Sequence, residues 1–217
     1  MTRMQRFLVT TAAVTVTVIA VAVGASHRGD GIAASDLRAR GEYLVKIGGC
    51  NDCHTPVQMD PHLGLPVPMA DRLLSGHPEG APDPETQLSG QDAVVAGPTF
   101  TSFRMPFGIV RAANLTPDLE TGIGGWTADT FILAMRSGGH MGGRARPILP
   151  PMPWANVASL SDADLRAMFA YLHSIPPVKN AVPDPRVPEP ALSAIRAGYD
   201  ALLVSSGNHD TSPAKAW

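Results

Sequence analysis

The chain has 217 residues, a formal net charge of -2, 44% hydrophobic residues and 17% charged ones. That length suits one domain with elaborated loops or tails, the apolar content excludes wholesale disorder, and no basic patch argues for nucleic acid. Glycine and proline number 21 each, so loops and turns should be abundant and long helices few.

Arg3 and Arg6 precede an apolar run from Phe7 to Val23, and Val23-Gly24-Ala25 offers small residues for cleavage. Residues 1–25 read as a secretory signal peptide or, left uncleaved, as an N-terminal anchor. The run is slightly short of the roughly 20 residues that span a bilayer. Either way the remainder is exported. Residues 26–34 form a linker.

Ser35 is the expected N-cap of a first helix running to about Ile47, with Leu37, Gly41, Leu44 and Val45 on one face. A glycine inside a helix costs roughly 1 kcal/mol relative to alanine. Close approach of another helix at Gly41 would repay it. Gly48-Gly49 stops the helix. From residue 55 to about 110 the chain reads as a long irregular loop with one helical turn near Ala70–Leu74. Loops this long are usually functional or packed on a ligand. A second helix starts near Thr127, buries Phe131, Ile132, Ala134 and Met135, and stops at Gly138-Gly139. A third starts at Ser161, with Asp164 giving a weakened capping box. Leu165, Met168, Phe169 and Leu172 form its apolar stripe, and Pro176-Pro177 ends it. The proline-rich tail, 181–217, holds a short helix at Ala191–Leu203. No strand signal is strong, so the fold class is all-α.

The chemistry concentrates in Cys50-Asn51-Asp52-Cys53-His54. This C-x-x-C-H string is the attachment signature of c-type haem. Two thiols add to the two vinyl groups as thioethers, their spacing suits the distance between those vinyls, and the next histidine falls beneath the iron. A disulfide is the rival permitted by export. A thioredoxin-like pair would want a βαβ pattern, and a zinc site would want a second cysteine pair. These are the only two cysteines.

The second axial ligand is open on residue chemistry alone. Met152 lies in Pro150-Pro151-Met152-Pro153, where flanking prolines fix φ and limit retreat from the iron. Methionine also fills core gaps, and Met105, Met141 and His140 are rivals.

From about Leu37 to Val178 the chain resembles a bacterial class I c-type cytochrome of the exported, mono-haem kind. The resemblance is carried by Gly41-Glu42-Tyr43-Leu44-Val45 before Gly49-Cys50-Asn51-Asp52-Cys53-His54-Thr55-Pro56, then Leu74-Ser75-Gly76-His77-Pro78. It continues through Ala113-Asn114-Leu115-Thr116-Pro117-Asp118, Thr121-Gly122-Ile123-Gly124, Trp126 and Leu149-Pro150-Pro151-Met152-Pro153-Trp154. Leu160-Ser161-Asp162 and Ala170-Tyr171-Leu172 complete the set. It implies a cytochrome c-like domain over 35–180, with three core helices around one covalent haem c. The first and last helices should cross beside the haem, bringing Gly41 and Tyr43 toward Phe169 and Leu172. The implied iron ligands are His54 and Met152, with Asn114 and Trp126 near the propionates. His77 is expected to be a loop or surface histidine.

His/Met ligation raises the reduction potential and leaves no open position on the iron. The expected function is a periplasmic one-electron carrier, soluble or anchored to the outer face of the inner membrane, or the cytochrome subunit of a dehydrogenase, more an electron-transfer protein than a catalyst in its own right. By the resemblance it passes electrons between a dehydrogenase and an oxidase or other acceptor in a respiratory chain. The alternative is a haem enzyme or gas-binding sensor with a displaceable sixth ligand.

Overall fold

The computed structural model describes residues 34–90, 93–143 and 146–205. The signal or anchor segment, nearly all of the linker and the last residues of the tail lie outside them.

Helix α1 spans Ala34–Ile47. It begins one residue before the expected cap, so Ser35 lies inside it, where its hydroxyl meets Asp36 at 3.5 Å. Gly41, Leu44 and Val45 are buried as their spacing predicts. Gly49 ends the run at φ 66°, a left-handed conformation that glycine adopts at little cost. Helix α2, Cys50–His54, follows at once.

Where an irregular loop was expected, the described residues instead carry five short strands. Strands β1, Val57–Met59, and β2, Pro66–Pro68, form an antiparallel hairpin. Two prolines in β2 hid it, because proline removes ladder donors and is tolerated only at edges. Asp60 builds the connection by accepting from the backbone N–H groups of His62 and Leu63. The helical turn at Ala70–Arg72 is present as expected. Strands β3, Val95–Ala96, β4, Ser102–Met105, and β5, Gly108–Arg111, make a second antiparallel sheet in the order β3-β4-β5. Its tight turn is Pro106-Phe107, not the Asn-Gly type that announces a hairpin.

Helix α3 spans Ala128–Ser137, capped by Thr127, whose side chain accepts from the N–H of Thr130, and stopped by Gly138 at φ 64°. Two short helices were missed in sequence, α4 at His140–Gly143 and α5 at Trp154–Ala158. Helix α5 therefore stands between Met152 and the third expected helix, α6, Asp162–Leu172. Ser161 caps α6 through the N–H of Asp164. The return half of the box is replaced: the Asp164 carboxylate takes the Ser161 hydroxyl at 3.0 Å and Arg40 Nε of α1 at 2.9 Å. The tail helix α7 runs Glu189–Ser205, longer than expected.

Two apolar clusters organise these elements. The first joins α1, α3 and α6 through Leu44, Val45, Phe131, Met135, Leu165 and Met168. The second joins the β4-β5 hairpin, Leu149 and the tail helix. In the first, α1 crosses α6 at Gly41, where a side-chain carbon would sit 1.9 Å from the Ala167 carbonyl oxygen. Phe169 and Leu172 lie on the facing helix, Leu172 buried and Phe169 half-buried. Tyr43 is exposed.

The tail is fastened to β5 before its helix begins. Ile109 and Arg186 exchange backbone hydrogen bonds at 3.0 and 2.8 Å. Asp83 bridges Arg111 and Arg186, each at 2.5 Å. Burial pushes the Asp83 carboxyl up, but the hydrogen bond and charge of Arg111, with Arg186 behind, outweigh it and hold the group below its ordinary range.

Two expected outcomes follow. Gly41→Ala forces α1 and α6 apart. Overpacking of this kind costs about 3 kcal/mol, or roughly 10 °C in Tm, which thermal unfolding would read. Asp83→Asn removes the carboxylate that neutralises the buried Arg111, at a cost of about 3 kcal/mol at pH 7. Because the folded carboxyl has the lower pKa, its contribution is present above the unfolded value of about 3.9 and is lost as pH falls through the folded value. Urea unfolding of the wild type and Asp83→Asn should therefore differ at pH 7 and converge in acid.

Candidate haem site

Helix α2 presents all three chemical groups of the motif within five residues. Cys50 packs against the first apolar cluster and Cys53 against the second, so the motif stands at their junction. Neither cysteine is in a disulfide. Burial pushes both thiols above their ordinary pKa, with the Asp52 charge adding to it.

His54 is fixed by its ring. Nδ1 lies 2.8 Å from the carbonyl oxygen of Ala113. A carbonyl only accepts, so Nδ1 carries the proton and Nε2 keeps the lone pair that ligates a metal. Burial holds the imidazole below its ordinary pKa, against the opposing pull of the Ala113 bond, so the ring is neutral at pH 7.

The Ala113 carbonyl is itself held in place. Gly76 donates its N–H to the His54 carbonyl at 2.8 Å and adopts φ 76°. A side-chain carbon on Gly76 would lie 2.6 Å from both the Ala112 and Ala113 carbonyls. Thr55 accepts the Leu74 N–H at 2.9 Å, and the His77 N–H reaches Ala112 at 3.0 Å. Residues 74–77 are thus pressed between the motif and residues 112–115.

Asn114 is buried, and its side chain is spent on the protein. Its amide donates to Val178 at 2.8 Å and Thr121 at 3.2 Å, and its oxygen accepts from the Thr116 N–H and hydroxyl. Trp126 packs on the first cluster, edge-on to His140 at 5.4 Å. Met152 is half-buried on that cluster. Its rivals divide: Met105 packs with the second cluster, Met141 is exposed, and His140 is half-buried.

His77 lies in a loop, as one half of the expectation has it, but it is buried and not at the surface. Its ring spans Thr101 at 2.9 Å and the Ala81 carbonyl at 3.2 Å. Asn180 was also missed. It is buried, donates to the Ser75 and His77 carbonyls at 2.7 and 2.9 Å, and accepts from Glu79 and Arg72. Its only signal was an asparagine after Pro176-Pro177, which is indistinguishable from a turn residue.

The donor set fits a covalently attached haem. It comprises two free thiols three residues apart, a neutral histidine with its Nε2 set to ligate, and Arg72 Nε and Ser75 Oγ buried without a hydrogen-bond partner. The last two suit a carboxylate.

No family model matches the chain. It is 31% identical over 169 residues to the cytochrome c subunit of a quinone alcohol dehydrogenase from Gluconobacter oxydans, covering 76% of this chain and 27% of that protein. It is 31% identical over 155 residues to the cytochrome c subunit of gluconate 2-dehydrogenase from Pantoea cypripedii, covering 71% and 27%. A Cereibacter sphaeroides protein named as a diheme c-type cytochrome is 24% identical over 143 residues, covering 66% and 38%. The chain thus spans about a quarter of the length of the two dehydrogenase subunits. Set beside the attachment motif and the cytochrome c-like arrangement of helices around it, this homology shows that the chain belongs to the c-type cytochromes.

Proposed function

We propose that this chain is a one-electron carrier holding a single haem c through Cys50 and Cys53, with His54 and Met152 as axial ligands. The observation that carries the reading is the 2.8 Å bond from His54 Nδ1 to Ala113, which fixes the tautomer and ring orientation that ligation through Nε2 requires. One haem follows from one C-x-x-C-H string.

Haem supplies the one-electron couple when bound. The protein residues do the rest. The two thiols tether it, and the apolar clusters exclude water from its faces. Met152 would supply the second iron ligand. Asn114 and Trp126 would lie toward the propionates, as the resemblance implies. Since the Asn114 side chain is engaged by the loop, Arg72 and Ser75 supply the donors that meet a carboxylate. The cytochrome domain extends beyond residue 180 to include the tail helix, which packs on the second cluster.

The relatives are subunits of alcohol and gluconate dehydrogenases, so the donor proposed here is a dehydrogenase, with an oxidase or another cytochrome as acceptor. The proposed location is the periplasm, free or at the outer face of the inner membrane. Among the described residues no helix is long and apolar enough to cross a membrane.

The exported protein should keep its haem stain on a denaturing gel, and Cys50→Ser with Cys53→Ser should abolish it. The reduced spectrum should be low-spin and unaltered by carbon monoxide. Met152→Ala should become high-spin in the ferric state and bind carbon monoxide. Carbon monoxide binding by the wild type would favour the enzyme or sensor reading instead.

A further inference from the structure

The segment carrying Met152 is held from two sides. Inward, Ile148 and Met152 pack on the first cluster, and the Ile148 N–H donates to Gly138 at 2.7 Å. Outward lies the tail helix α7. Leu192, Ile195 and Tyr199 fall at i, i+3 and i+7, on one face. Leu192 and Ile195 join the cluster that contains Leu149. Tyr199 packs against Trp154 with ring centroids 4.7 Å apart and the planes tilted by 55°, and its hydroxyl donates to the Ile148 carbonyl at 2.6 Å. Gly138 makes room for both rings: a side-chain carbon there would lie 2.8 Å from the Trp154 indole and 3.0 Å from the Tyr199 ring.

Tyr199 therefore grips the segment on both flanks of Met152, at the carbonyl four residues before it and the ring two residues after it. We propose that Tyr199 is a positioning residue for Met152, holding its sulfur at the iron against displacement. This rests on Met152 being the axial ligand. A thioether is a neutral, weak ligand, so its occupancy depends on how little freedom the segment has to withdraw. Internal bonds, Met152 N–H to Leu149 at 3.2 Å and Trp154 N–H to Met152 at 2.9 Å, shape the turn. They do not tie it to the rest of the molecule. Tyr199 does, so the ordering entropy is met when the domain folds and not when the sulfur binds.

The test uses the haem-loaded protein and imidazole as a competing ligand, read by loss of the sulfur-to-iron charge-transfer absorption in the ferric state. Tyr199→Phe removes the hydroxyl, and with it the bond to Ile148, and keeps the tilted ring contact with Trp154. It should bind imidazole roughly two- to tenfold more tightly than wild type, the range expected for one net hydrogen bond. Tyr199→Ala should bind it more tightly still, with haem content per polypeptide unchanged. If Tyr199→Ala fails to accumulate, Tyr199→Phe decides. Wild-type imidazole affinity in the Tyr199 variants, with tight binding by Met152→Ala, would overturn the positioning role and leave Met152 as ligand. Unchanged affinity in Met152→Ala would overturn the ligand assignment, and the positioning role with it.

Discussion

The hydrogen bond between His54 Nδ1 and the Ala113 carbonyl joins two segments 59 residues apart. It needs a carbonyl aimed at a buried ring, and the chain builds a frame to aim it. Gly76 admits the carbonyl because it has no side chain there. Asn114, the next residue, ties the same strand of chain to Val178 and Thr116. Asn180 fastens the Gly76 loop through Ser75 and His77. Each of these groups is buried and satisfied, and removing any one leaves partners unpaired at about 1–3 kcal/mol per group. The frame is therefore cooperative: the histidine is placed by backbone atoms whose own positions are fixed by buried amides.

The same frame explains how a proline- and glycine-rich stretch becomes ordered. Residues 55–111 supply few buried apolar side chains. Among the described residues, Leu74, Phe103, Ile109 and Val110 are the buried large ones. Hydrogen bonds carry much of the remainder. The His77 ring, Thr55 and Asn180 act as struts inside the loop, and Arg111 with Asp83 closes its edge against the tail. A buried polar network rigidifies only when every member is paired. Among the described residues three buried side-chain atoms lack a partner: Ser102 Oγ on β4, and Arg72 Nε and Ser75 Oγ on the segment that frames the histidine. The two unmet donors there would suit a carboxylate-bearing group completing that wall.

Legibility in the sequence followed the range of the interaction. The motif, the Gly49 and Gly138 stops and the Thr127 and Ser161 caps are local, and each was readable. Gly41 was readable too, because a glycine on an apolar helix face implies a crossing, and Ala167 occupies that place. The strands were not, because prolines in β2 and the Pro106-Phe107 turn broke the usual signals while tertiary partners supplied the pairing. The burial of His77 was hidden for the same reason. A histidine flanked by glycine and proline reads as exposed, and its partners Thr101 and Ala81 are joined to it only by the fold. The tail helix was readable as a short helix but without a target, since its apolar face meets the Ile148–Trp154 segment, 51 positions before Tyr199 at Ile148, and the β4-β5 hairpin further back still.

The two sides of the proposed haem site are therefore held by different physics. The histidine side rests on short hydrogen bonds between backbone and buried amides, with the ligand inside a helix that also carries both cysteines. The methionine side rests on apolar packing, on the Tyr199 hydroxyl and on two aromatic rings in the gap left by Gly138. A cooperative hydrogen-bonded frame holds until it opens as a unit, whereas a segment packed between a core and a single helix yields as that helix loosens. A covalently tethered haem with a rigid histidine and a packed methionine would then lose its sulfur ligand long before its histidine. The tail helix, which lies beyond the reach of the family resemblance, sits where that loosening is controlled.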